Sequence, residues 1–75
     1  MRKQYRDQDF LIKVGARLVK IREQKGVTQE RLAELTERFD SREIGRIERA
    51  ETNASISKMK LIADALKVNI SELLE

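Results

Sequence analysis

The sequence has no cysteine, no histidine and no proline, and only three glycines in 75 residues. Lack of cysteine removes disulfides and thiol nucleophiles. Lack of histidine as well removes the common zinc ligand sets and the Ser-His and Cys-His nucleophile arrangements. β-branched clusters with two-residue alternation are missing too. Together with the absent proline and scarce glycine, this favours helices joined by short connections. No apolar run approaches the ~20 residues of a bilayer-spanning helix. The N-terminus, MRKQYRDQDF, begins basic, but no apolar segment follows, so it does not read as a secretory signal. A cytoplasmic protein is the default expectation. The thirteen acidic residues are spread among basic partners at helical spacing, the pattern of a solvated surface rather than a catalytic carboxylate pair. No enzyme, cofactor or metal is therefore expected.

The chain does contain 40% apolar and 39% charged residues with a net charge of +3. That suits a small core beneath a highly charged surface. The charge excess is mild and permits a polyanionic partner without demanding one. The length allows one domain, residues 1–75, with residues 1–8 expected as a mobile N-terminal arm. A core of this size contributes only ~5 kcal/mol or less, so self-association would help.

Five helices can be placed from caps and apolar spacing. Asp7 or Asp9 can cap the first, whose stripe is Leu11, Val14, Leu18 and Ile21. It should stop at Lys25, because Gly26 can turn left-handed at no Cβ cost. Its basic positions, Lys13, Arg17, Lys20 and Lys25, would suit a membrane-surface helix, but Glu23 and nearby acids dilute them. Thr28 is a good N-cap for the second helix, with Leu32, Ala33 and Leu35 on its buried side and an end near Glu37 or Arg38. Asp40 looks like the next N-cap with Glu43 at N3, an analogue of the capping box, for a third helix over about Ser41 to Arg49. Ser55 or Ser57 can cap a fourth, with Met59, Ile62, Ala63 and Leu66 apolar. Asn69 is expected to cap the fifth, with Glu72 at N3 and Ile70, Leu73 and Leu74 apolar.

The third segment carries the most information. Arg42, Arg46 and Arg49 stand at i, i+4 and i+7 and share one face, while Ile44 and Ile47 share another. One side can be buried while the other meets a polyanion, as a DNA-reading helix requires. By itself, such an arginine face is more often simply solvated. Gly45 within this helix costs ~1 kcal/mol relative to alanine, which suggests close approach to DNA or to the second helix.

These residues resemble the lambda-repressor/Cro-like helix-turn-helix domain. The matching pieces are Ile21-Arg22 with Lys25 to Gln29, then Leu32-Ala33-Glu34, Ile44 to Arg49, and Ile62 to Leu66 followed by Val68 and Leu73. The match covers roughly residues 14 to 74. It implies an all-α, compact five-helix fold with the helix-turn-helix in helices two and three. It also implies sequence-specific binding of double-stranded DNA by a repressor-like transcription regulator. Base edges would be met by Ser41, Arg42, Glu43 and Arg46, and the DNA backbone by Thr28, Gln29, Arg49 and Asn53. Arginine presents a planar fork that fits guanine O6 and N7, and Arg42 is the best placed for it. Glu43 could accept from cytosine N4 or serve only as the capping partner of Asp40. The resemblance further implies a structural ion pair between Arg22 and Glu48. A single short reading helix buries too little surface for tight binding. A homodimer is therefore expected, through Ile70, Leu73 and Leu74 with help from Tyr5 and Phe10, and half-sites ~34 Å apart. No small-molecule ligand and no membrane partner are implied.

Three departures from the family pattern stand out. The turn over Glu37 to Asp40 is one residue longer. Ala50 replaces the usual glycine after helix three, so that helix is expected to run on rather than turn left-handed. Lys67 replaces the common glycine after helix four. Other functions compatible with the same pattern are an antitoxin, a controller of a restriction–modification operon, and a protein-binding adaptor that no longer touches DNA.

Overall fold

The computed structural model describes residues 5–75. The elements are α1 (Gln8–Gln24), α2 (Gln29–Thr36), α3 (Ser41–Glu48), α4 (Ile56–Leu66) and α5 (Ser71–Leu74), with no strand among the described residues. Four helices begin on local side-chain caps. Asp7, Thr28, Asp40 and Ser55 each accept a hydrogen bond from the backbone N–H three residues on, satisfying donors that a helix start leaves open. The fifth departs from expectation. Asn69 does not cap it; Ile70 occupies the cap position with no side-chain bond, and Glu72 instead accepts from the Asn69 N–H at 2.9 Å.

Helix ends are set by left-handed residues. Gly26 takes φ +67°, and Glu37, Ala50 and Lys67 take the same region without being glycine. The 6→1 and 5→2 bonds of a Schellman turn close α1 through Val27 and Gly26, α3 through Glu51 and Ala50, and α4 through Val68 and Lys67. Helix three thus does not run on past Ala50. In the α2–α3 turn Phe39 packs partly buried against the core, while Thr36 is buried with its hydroxyl donating to Ala33 O at 2.7 Å.

Each helix supplies one of the largest fully buried side chains: Leu18, Leu32, Ile44, Ile62 and Leu73. Each such side chain contributes ~1.5–3 kcal/mol of transfer free energy. Leu35, expected inside, is 39% exposed, and Thr36 takes the inward position. Helix α3 lies against α1 and α2, α4 against α2, and α5 against α1. Gly15 makes the α1–α3 crossing possible. A Cβ there would lie 2.4 Å from the carbonyl oxygen of Glu48, so the backbones touch where any side chain would intrude. The packing thereby fixes the C-terminal end of α3 against the middle of α1, and with it the face α3 shows to solvent.

Candidate nucleic-acid interface

Helix α3 is held from below by Ile44 and Ile47, 0% and 3% exposed. Its outer face carries Arg42, Arg46 and Arg49, all exposed. Arg42 and Arg46 form a crest between two shallow depressions. One is lined by Gln29, Ser41, Gly45 and Arg49 beside the crest, the other by Arg38, Phe39, Glu43 and Lys58. The fold therefore brings Gln29, Ser41, Arg42, Arg46 and Arg49 around one concavity. Glu43 lies on the opposite flank of the crest. Thr28 adjoins the concavity as the exposed N-cap of α2. Asn53 lies apart in the α3–α4 loop, its Nδ2 donating to Tyr5 O at 3.1 Å.

The arginines differ in how they are held. Arg42 Nη2 is 3.0 Å from Asp40 Oδ2 and Arg49 Nε 2.8 Å from Glu51 Oε2, both pairs solvent-exposed. The bond from Arg42, together with the Glu43 backbone N–H, holds the Asp40 carboxyl below the usual carboxylate range. Arg49 does the same to Glu51, and Glu51 raises the Arg49 guanidinium in turn. Exposed pairs of this kind are weak because solvent and salt screen them, so phosphate can displace either partner. Arg46 has no ion-pair or hydrogen-bond partner among the described residues.

Glu43 is the capped residue, not a capping partner. Its N–H donates to Asp40 Oδ1 at 3.2 Å, while its carboxylate takes Lys58 Nζ at 2.8 Å. Lys58, from the first turn of α4, escapes a sequence reading because it is remote from Glu43 in the chain. It neutralises a carboxylate that phosphate would otherwise repel.

Beneath the concavity lies a partly buried network. Arg22 Nε is 2.7 Å from Glu48 Oε2, with the two side chains 14% and 5% exposed. Arg22 Nη2 reaches Glu48 Oε1 at 3.3 Å, and Arg22 Nη1 donates to Val27 O at 3.0 Å. Gln29 Nε2 adds a third donor to Glu48 at 2.7 Å. The bond to Glu48 raises the Arg22 guanidinium's affinity for its proton against the opposing cost of burial. These bonds tie the ends of α1 and α3 to the start of α2. They also hold the Gln29 side chain at the edge of the concavity with part of its amide already engaged.

The three atoms nearest to a Cβ at Gly45 all belong to the Arg49 guanidinium, the first at 2.8 Å. The expected dimer residues also separate. Leu73 is 0% exposed and belongs to the monomer core, because α5 is a single turn pressed on α1; it has no surface to offer a partner. Ile70 and Leu74 are half-buried. Leu74 lines an apolar groove of about 250 Å³ with Phe10, Leu11 and Ile56. Residues 1–4 of the expected arm lie outside the described residues. No group of residues that could hold a metal occurs among those described, and no helix is long and apolar enough to cross a membrane.

The chain resembles several solved proteins. The restriction-modification controller protein C.AhdI from Aeromonas hydrophila is 38% identical, with 84% of this chain and 94% of that chain covered and a TM-score of 0.80. The hypothetical transcription factor NHTF from Neisseria is 25% identical over 100% of this chain and 86% of that one, at a TM-score of 0.83. The DNA-binding domain of BldD is 25% identical over 93% of this chain and 100% of that domain, at 0.84. No curated protein matches. The helix-turn-helix family model HTH_3 matches residues 18–73. With its capped α2 and α3 set by the Arg22–Glu48 network and its arginine crest turned outward, the chain belongs to this lambda-repressor/Cro-like helix-turn-helix family of DNA-binding transcription regulators.

Proposed function

We propose that the protein binds a specific double-stranded DNA sequence as a repressor-like homodimer, with α3 in the major groove. Ser41, Arg42, Glu43 and Arg46 meet base edges; Thr28, Gln29, Arg49 and Asn53 meet the DNA backbone. The observation that carries this reading is the arginine crest. Buried Ile44 and Ile47 hold the helix still, Arg42 and Arg46 stand exposed above them, and Arg46 has no competing partner among the described residues. A bidentate arginine–guanine contact supplies ~1–3 kcal/mol of discrimination. Lys58 joins the set by cancelling the charge of Glu43 and offering a further cation beside the crest.

Two variants separate base from backbone contacts. Arg42→Ala relaxes preference at one base position, whereas Arg49→Ala weakens all sequences alike and lowers the salt slope by about one. Identical behaviour of the two variants refutes the assignment. Loss of salt-dependent duplex binding in the triple Arg42, Arg46 and Arg49 alanine variant separates DNA reading from a protein-binding adaptor. Dimerisation is supported by the groove that joins Leu74 to exposed Phe10 and Ile56. Sedimentation equilibrium reads it directly, and a protein that stays monomeric on its duplex refutes it.

A second, narrower reading is favoured by the 38% identity to a restriction-modification controller. On that reading the protein controls a restriction–modification operon, and the operator lies beside its genes. Selection of bound duplexes from a random pool, compared with the flanking DNA, tests it.

A further inference from the structure

Of the three non-glycine residues with left-handed backbone, Glu37 and Lys67 are exposed, whereas Ala50 is 3% exposed. An L residue adopts this region at a steric cost, and glycine normally bears the role. Ala50 is also the residue that ends α3. Its N–H donates to Ile47 O at 3.1 Å, and the following Glu51 N–H donates to Arg46 O at 2.8 Å. The turn therefore bonds directly to the backbone of the DNA-reading helix.

The Ala50 carbonyl oxygen accepts two side-chain donors from the opposite end of the chain. Gln8 Nε2 donates at 3.0 Å, and Arg6 Nη2 donates as well. Arg6 Nε also donates to Gln8 Oε1 at 2.7 Å, which locks the two donors together. Their backbone is anchored by the Asp7 cap of α1, and Asn53 ties to Tyr5 O on the same segment. Neither the Glu37 nor the Lys67 carbonyl accepts a side-chain hydrogen bond among the described residues. The burial and the double acceptor thus fall on the one left-handed residue that closes the reading helix.

We propose that Arg6 and Gln8 are positioning residues for DNA reading. By filling both lone pairs of the Ala50 carbonyl they hold the alanine left-handed, which glycine would do through conformational freedom alone. This clamp sets the last turn of α3, carrying Arg46 and Arg49, and the direction of the loop that bears Asn53. Without it Ala50 relaxes toward right-handed backbone, the Glu51 N–H loses its bond, and the arginines leave their register. The inference rests on the DNA-reading function proposed above.

Five proteins test it: the wild type, Arg6→Ala/Gln8→Ala, Ala50→Gly, these three substitutions combined, and Arg6→Lys. Each is read by the amide exchange rate of Glu51 without DNA, and by affinity against salt for a duplex selected by the wild type. The double variant is expected to exchange faster at Glu51 and to bind about tenfold more weakly, the size two lost hydrogen bonds can give, with its salt slope unchanged. Ala50→Gly in that background restores both, and Arg6→Lys alone, which keeps a donor, stays near wild type. Unchanged Glu51 exchange in the double variant overturns the proposal. So does a salt slope lowered by about one with no rescue by glycine, because Arg6 would then be a phosphate contact itself. If the double variant loses its helicity, Gln8→Ala alone is read in the same two assays. Failure of the wild type to bind any duplex counts against the DNA-reading function, and the exchange measurement then decides the clamp by itself.

Discussion

Replacing Arg22 with alanine should be among the most damaging single changes in the protein. The Glu48 carboxylate is 5% exposed and takes donors from Arg22 and Gln29. Removal of Arg22 leaves that charge buried with Gln29 as its main side-chain donor, and also strips Val27 O of its side-chain partner. Breaking one side of a buried pair costs ~3–5 kcal/mol, because the surviving charge can no longer reach water or a partner. A domain of 75 residues has only ~4–11 kcal/mol in total, at ~0.05–0.15 kcal/mol per residue. The variant should therefore lose between about a quarter of its stability and all of it. Its melting temperature should fall by more than ~12 °C, at ~4–8 °C per kcal/mol. Urea unfolding followed by far-UV circular dichroism measures the loss. The companion variant Arg22→Met/Glu48→Leu removes both charges and should recover most of the deficit, since well-packed apolar replacements of buried pairs are often neutral. A loss below ~1 kcal/mol for Arg22→Ala, the range of surface pairs, would refute a partly buried network.

The other predictions concern the two helix-interior glycines and acid. Gly15→Ala places a methyl group 2.4 Å from Glu48 O, backbone that cannot swing aside, so it should destabilise by ~1–3 kcal/mol despite alanine's better helix propensity. Gly45→Ala meets first the tip of the Arg49 side chain, so it should stabilise by up to ~1 kcal/mol; thermal unfolding of both variants checks the opposite signs. Asp40 is held below its ordinary value by Arg42 and the Glu43 N–H. A depressed carboxyl contributes stability that is present above its unfolded value and lost as pH falls through the folded one. The chemical shift of the Asp40 side-chain carboxyl carbon should thus stay constant from neutrality down to about pH 4 and change below it. Movement already at pH 5 to 6 would refute this assignment.

How much was legible in the sequence depends on chain distance. The caps Asp7, Thr28, Asp40 and Ser55 act on an N–H three residues away, so the residue types alone announce Thr28 and Asp40 and narrow the other two to Asp7 or Asp9 and Ser55 or Ser57. The apolar stripe of α4 was equally readable, and all four of its residues are buried. Periodicity could not rank the apolar positions of short helices. Leu35 and Leu73 look alike in the chain, yet one is 39% and the other 0% exposed, because burial depends on where a neighbouring helix passes.

Local rules therefore determined by themselves that the chain is helical, about where its first four helices start, and that three arginines share one face of the third. Tertiary structure alone decided what happens at their ends and flanks. It seated Gly15 under Glu48, gave Glu43 to Lys58, and brought Arg6 and Gln8 onto the carbonyl of Ala50, contacts between residues up to 44 apart in the chain. Such pairs leave no local trace, since nothing in the backbone geometry of either segment requires the other. They come into being only when burying one leucine or isoleucine from every helix in a common centre fixes how the helices cross.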